Sequence, residues 1–248
     1  MLRKALKRFG AIAACSFVVA LQLPGATLVN NGGFEAGLSG WTAVDQLGSE
    51  GTFLVQSGGS SPVSNTPVPI PPEGTNAAMT DAFGPGSHVL YQDFVVPAGV
   101  PNAVITFSLY LNNAAPDFFN PGHLDFAGVD RDPDLRINQQ VRVDLMTATA
   151  DPFSVAPADI LMNLFQTAAG DPLVSGYHNY SADVTALMQA YQGQTLRLRF
   201  AEVDNVLTLN LGVDNVAVTV SAIPEPSTFV LSFSALAAVL LARRKLRN

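Results

Sequence analysis

The sequence predicts an all-β protein, a sandwich or a barrel carrying one short helix, set between an export leader and a membrane-seeking tail. Three observations predict it. Between residues 27 and 222, short β-branched and aromatic runs are separated by Gly, Pro, Asn and Asp, the punctuation of a many-stranded fold. Several runs alternate apolar with polar at the two-residue period of a strand with one buried face. Only one segment, 182–192, holds a helical stripe. The span suits a single domain.

In chain order, Arg3, Lys4, Lys7 and Arg8 precede an apolar stretch, 9–23, interrupted by Ser16 and Gln22. That is the layout of a secretory signal peptide, 1–26, whose cleavage point stays open between the small residues ending at Ala20 and a cut after Ala26. Ile12-Ala13-Ala14-Cys15 imitates a lipoprotein box, but the segment beyond it stays apolar, which disfavours lipidation. Cys15 is the one cysteine, so the mature body has neither thiol nor disulfide.

The candidate strands are 27–30, 41–44, 52–56, 77–80, 88–96, 104–112, 140–147, 160–166, 195–202, 206–211 and 215–221. In 104–112, Ile105, Phe107, Leu109 and Leu111 share one face, and Val104, Thr106, Ser108 and Tyr110 the other. Val141, Val143 and Leu145 oppose Arg142 and Asp144, while Leu196, Leu198 and Phe200 oppose Arg197 and Arg199. The helix has Ser181 as its cap, Val184, Leu187, Met188 and Tyr191 as its stripe, and Gly193 as its stop. Two insertions interrupt the strands. The first, 58–74, has prolines that favour an extended course and a composition that builds no core. The second, 114–138, is rich in Asp and Pro.

The whole chain carries −7, but the middle sets five of the 13 basic residues against all 20 acidic ones, a net −15 without a lysine. Such a surface repels nucleic acid and anionic lipid and attracts divalent cations.

At the C-terminus, Pro224, Glu225 and Pro226 stop any strand; 16 uncharged residues follow at 227–242, and Arg243, Arg244, Lys245 and Arg247 close the chain. A helix of that length reaches roughly 24 Å, short of the ~30 Å hydrocarbon core by an amount that snorkelling arginines absorb. Cations at both termini hold the ends in the cytoplasm and send the middle across. The tail resembles the PEP-CTERM sorting signal of Gram-negative bacteria that make exopolysaccharide. The resemblance implies a sorting signal at 223–248 with a transmembrane helix at 227–242. It also implies an exosortase-type membrane protease cutting near Pro224-Glu225-Pro226, a transient stay in the inner membrane, and a final place at the cell surface or outside it.

A second resemblance concerns the body. Leu28-Val29-Asn30-Asn31-Gly32-Gly33-Phe34-Glu35 with Gly40-Trp41 opens it, and Gly212-Val213-Asp214-Asn215-Val216-Ala217-Val218 closes it. Together they look like the ends of a galactose-binding-like jelly-roll β-sandwich, the architecture of many carbohydrate-binding modules. The resemblance implies that first and last strands lie together. It also implies a structural Ca²⁺ held there by Glu35 and Asp214, whose hard oxygens suit that ion. The alternative is that both are turn and cap residues.

Asp130, Asp132 and Asp134 repeat the first three ligand positions of an EF-hand, but Leu135 and Val141 stand where Gly and Glu are required. That leaves an ordinary acidic loop, or a looser calcium loop with Asp125. Trp41, Tyr91, Tyr110, Phe118, Phe119, Tyr177 and Tyr180 are candidate sugar-stacking rings. Trp41 reads more readily as core, and Phe118-Phe119, in a polar loop, as the surface pair. No nucleophile elbow, metal-binding His pair or phosphate loop occurs. Tyr177-His178 beside Tyr180 lacks the basic patch a lyase of anionic glycans needs. The expectation is a non-enzymatic exported protein that binds or organises extracellular polysaccharide. A jelly-roll glycan hydrolase or lyase and a ligand-free structural matrix protein are the alternatives.

Overall fold

The computed structural model describes residues 25–128 and 137–221. The signal peptide up to residue 24, Asp130, Asp132 and Asp134, and the whole sorting tail with Pro224, Glu225, Pro226, Arg243, Arg244 and Lys245 lie outside the described residues. Among the described residues no helix is long and apolar enough to cross a membrane.

Among the described residues, eleven strands and one helix follow in order: β1 (Ala26–Thr27), β2 (Thr42–Asp45), β3 (Thr52–Ser57), β4 (Asn76–Asp81), β5 (Gly86–Val95), β6 (Ala103–Asn113), β7 (Gln139–Thr147), β8 (Ile160–Gln166), β9 (His178–Asp183), α1 (Thr185–Ala190), β10 (Thr195–Asp204) and β11 (Leu209–Val220). One sheet runs β3-β4-β11-β6-β9 with β1 also on β11; the other runs β2-β5-β10-β7-β8. Every pairing is antiparallel. The chain passes back and forth between the sheets, the wrapping a sandwich of this kind requires.

The core lies between the sheets and follows the alternation in the sequence. Ile105, Phe107, Leu109 and Leu111 of β6 meet Val141, Val143 and Leu145 of β7 and Leu196, Leu198 and Phe200 of β10. Rings mark its centre: Phe107 meets Phe200 edge-on at 5.6 Å, and Trp41 lies 5.9 Å from Phe200 and 5.3 Å from Phe34. Burying one such side chain contributes about 1.5–3 kcal/mol.

Four local expectations are corrected. The helix is shorter than 182–192, because 178–183 pairs with β6 as a strand. Ser181 therefore sits in β9, and the first helical turn is served by Asp183, whose Oδ1 accepts the Thr185 N–H at 2.8 Å. The sequence separates 206–211 from 215–221, whereas β11 runs through both with a bulge between Asp214 and Ala217 and Asn215 at φ 54°. The insertions also pack down. Val68, in 58–74, joins Met79 and Tyr110 in a small cluster, and Leu124, in 114–138, joins Val89, Ala201 and Val203 on the outer face of the second sheet. Asp81 anchors the first insertion, accepting the N–H groups of Val63 and Ser64 at 2.7 and 2.8 Å.

The outward faces of β7 and β10 are likewise covered. Arg199, 0% exposed, donates to the carbonyls of Pro152 and Ser154 and to Asp144. Arg142 grips the same carboxylate through two bonds of 2.7 Å, and Arg197 pairs with Asp93 while its guanidinium stacks 3.8 Å over Tyr91. These arginines are ordered inside the protein rather than displayed to solvent.

Candidate functional site

The opening and closing motifs come together, as the jelly-roll resemblance implies. The Leu28 N–H donates to the Val218 carbonyl at 2.8 Å, and the Val216 N–H to the Gly32 carbonyl at 2.9 Å. Asn31 shapes the loop between, donating to the Gly37 and Ser39 carbonyls and accepting from the Ala36 N–H. Glu35 and Asp214 thereby enter one neighbourhood, with Glu73 as a third acid that the sequence did not single out.

The two predicted acids are engaged differently. Glu35 clamps the 75–76 backbone, accepting the N–H groups of Thr75 and Asn76 and the Thr75 hydroxyl, each at 2.9 Å. These bonds, the Thr75 N–H first, hold its carboxyl below the usual value. Asp214 is 0% exposed and accepts the N–H groups of Asn215 at 2.8 Å and Glu73 at 3.2 Å. Burial lifts its carboxyl to about 6 despite those bonds, and the charges of Glu73 and Glu35 add to the lift. Carboxylate oxygens are the donors Ca²⁺ takes, but both Glu35 oxygens are already engaged by Thr75 and Asn76.

Beside this cluster a groove of about 500 Å³ crosses β6, β9 and the bulge of β11. Strand register builds its floor: Ser108 lies opposite Asn179, and Thr106 opposite Ser181. The Ser108 hydroxyl donates to Asn179 Oδ1 at 2.7 Å and accepts from Asn215 Nδ2 at 3.5 Å. Glu73 and Gly33 line the end nearest Asp214, and Tyr180, opposite Phe107 in register, turns its ring to the core side. Tyr180 is held by Phe107, stacked at 5.4 Å, and by Phe165, edge-on at 4.9 Å. It also borders a second hollow of about 230 Å³ with Asp171, Ser175 and His178.

Of the seven predicted stacking rings, Trp41, Tyr110 and Phe118 are buried and the other four are half-buried. Trp41 is 8% exposed, and its Nε1–H donates to the Asn31 carbonyl at 3.1 Å. Phe118 is 1% exposed and belongs to the core, so its ligand-binding role is corrected: a ring without a free face cannot stack on a sugar. Phe119 is half-buried and bridges by backbone to Gln139. Tyr177 donates its hydroxyl to Gln56 Oε1 at 2.9 Å, and burial raises its pKa further from any use as a base. Tyr180 lies in β9 beside the groove, but its register partner is Phe107 and its ring packs there against the core, on the face opposite Ser108 and Asn179.

A second polar cluster, which the sequence did not reveal, lies between the sheets. Among the described residues, one ligand atom each of His88, Glu202 and Asp204 lie within 4.8 Å of one another. They are 2%, 1% and 4% exposed. His88 Nδ1 meets Asp45 Oδ1 at 2.7 Å. Asp204 accepts the N–H groups of Gly86 at 2.8 Å and Leu209 at 3.3 Å, and burial raises its carboxyl to about 6. Burial also raises the Glu202 carboxyl well above the usual range, helped by the charge of Asp204. Extending the apolar positions 196, 198 and 200 by period two lands on 202 and 204. The available signal was two acids at core-facing positions.

No protein-family model and no curated protein matches the chain. Among solved structures, a carbohydrate-binding module in complex with β-1,4-galactotriose, TmCBM61, is 10% identical over 78% of this chain and 97% of its own, with a TM-score of 0.45. The K1 cleaved adhesin domain of Lys-gingipain from Porphyromonas gingivalis W83 is 12% identical over 77% of this chain and 96% of its own, with a TM-score of 0.42. A Stig cyclase from Fischerella sp. TAU is 17% identical over 80% of this chain and 98% of its own, with a TM-score of 0.44. These proteins differ in activity among themselves, so the function of this chain is argued from its own side chains.

Proposed function

We propose that the protein is a non-enzymatic binding module for a neutral, hydroxyl-rich glycan of an extracellular matrix, recognised in the groove over β6 and β9. The observation that carries this reading is the groove's lining. Thr106, Ser108, Asn179, Ser181 and Asn215 present neutral donors and acceptors side by side, the groups that pair with sugar hydroxyls. Its volume lies in the range of small-ligand sites. Among the described residues every arginine is paired with an aspartate and lysine is absent, so nothing here would attract a polyanion. One shallow groove gives weak affinity, and a matrix would supply avidity. Calcium at Glu35, Glu73 and Asp214 would fix the groove's end. Export, exosortase processing at Pro224-Glu225-Pro226 and release at the cell surface complete the proposal, resting on the sequence of the two termini.

The test is affinity electrophoresis of the full-length chain against neutral and acidic exopolysaccharides. Retardation by a neutral glycan that Asn179→Ala weakens about tenfold, the loss of one or two hydrogen bonds, is the expected result. Equal retardation of the variant would overturn the groove. Glycan turnover abolished by Asp214→Asn would replace binding with hydrolysis.

A further inference from the structure

We propose that His88, Glu202 and Asp204 form a zinc site between the sheets, with Asp45 as the outer partner that orients the imidazole. This site is separate from the groove and from the calcium proposal. Four observations carry it.

Three side chains able to ligate a metal already converge within 4.8 Å. Ligands around a tetrahedral Zn²⁺, with bonds of about 2.0–2.1 Å, stand about 3.3 Å apart. Closing the site therefore needs side-chain shifts on the order of an ångström. The imidazole selects against Ca²⁺ and Mg²⁺, which prefer oxygen alone, and mixed N/O donors suit zinc.

Glu202 Oε1 is buried without a hydrogen-bond partner. A buried carboxylate oxygen left unpaired costs about 1–3 kcal/mol or more, and a metal ion removes that cost. None of the ion pairs among the described residues that involve an arginine reaches Glu202 or Asp204. Three carboxylates, counting Asp45, thus face one imidazole.

His88 has the outer shell that metal-bound histidines carry. Asp45 takes the Nδ1 side at 2.7 Å, which leaves Nε2 as the lone-pair donor. That nitrogen lies over Gly86, where a Cβ would stand 2.2 Å from it. The ring has room only because residue 86 has no side chain.

The cluster also borders open space. A hollow of about 180 Å³, lined by Phe83, Gly84, Pro85 and Leu207, has Asp204 in its wall. Phe83 and Leu207 are 75% and 54% exposed beside it, and a water held there would supply the fourth ligand.

The experiment is zinc titration by calorimetry of the full-length chain after chelation, with Co²⁺ absorption as an independent reading of coordination. One zinc per chain is expected at this site, with visible cobalt bands of a four-coordinate nitrogen–oxygen set. Glu202→Gln, nearly isosteric, should weaken zinc at least 100-fold, and Asp45→Asn about 10–100-fold through the imidazole. His88→Gln should abolish the cobalt bands. If the histidine variant does not fold, Glu202→Gln decides alone. A wild type that binds no zinc overturns the site. So does undiminished binding by folded Glu202→Gln, which would place the metal elsewhere, for example at His123 or His178. Neither result touches the groove, whose glycan retardation is measured separately.

Discussion

Two acidic clusters, one at the joined chain ends and one between the sheets, contrast in what surrounds them. Glu35 and Glu73 of the first are exposed and Asp214 alone is buried, and backbone N–H groups donate to the carboxylates of Glu35 and Asp214. In the second, His88, Glu202 and Asp204 are all buried, an imidazole takes part, and one carboxylate oxygen is unpaired. The first is a clasp that a hard cation would tighten. The second is an unfinished polar site inside a hydrophobic sandwich. A third acid, Asp144, is equally buried but has its charge met by Arg142 and Arg199 within the chain, although Arg199 Nε is itself left without a partner. The difference lies in the compensation: the Asp144 charge is met by arginines inside the chain, whereas no arginine ion pair reaches Glu202 or Asp204.

The largest effect should come from undoing the compensated case. Asp144→Ala leaves two buried guanidinium groups uncompensated, at about 3–5 kcal/mol, a fall in Tm on the order of 10 °C by thermal melting. A loss no larger than that of a surface substitution would show that Arg142 and Arg199 relax elsewhere and would blur the contrast. Metal preference should divide the other two clusters. Asp214→Asn is expected to abolish a calcium-induced rise in Tm while keeping zinc affinity, and Glu202→Gln to do the reverse. If one variant removes both responses, the clusters are a single coupled site.

Glycine substitutions sharpen the same contrast by space. Gly86→Ala pushes a methyl into the His88 ring and should destabilise by about 1–3 kcal/mol. At Gly33 the nearest atoms to a new Cβ are Glu73 Oε2 at 3.5 Å and Asp214 Oδ1 at 4.0 Å. Gly33→Ala should therefore stay within ~0.5 kcal/mol by denaturant titration. The smallest effect concerns acid. Burial raises the Asp144 carboxyl, but the Arg142 bonds and the Arg199 charge outweigh it and hold it below 3.8. Its contribution is thus complete above that value and lost as pH falls through the lower folded-state value. Acid unfolding followed by circular dichroism should begin only below about pH 4, and Asp144→Asn should flatten the steep part of that curve.

Much of the fold was legible because period-two alternation is a local property. Ile105 to Leu111, Val141 to Leu145 and Leu196 to Phe200 declared their faces without any partner in view. The β9 strand was not legible. His178 to Asp183 is polar and edge-placed, and only pairing to β6 makes it extended. Phe118 misled because a ring in a polar loop says nothing of where the loop folds back.

The sequence by itself determined that alternating strands would build an all-β body and that this body would be strongly acidic, since both follow from neighbours along the chain or from composition. Only the tertiary structure decided that Glu73 joins Glu35 and Asp214, that Thr106, Ser108, Asn179, Ser181 and Asn215 line one groove, and that His88 meets Glu202 and Asp204. Those residues stand dozens of positions apart, and what brings them together is strand register across the sheets and the packing of one sheet on the other.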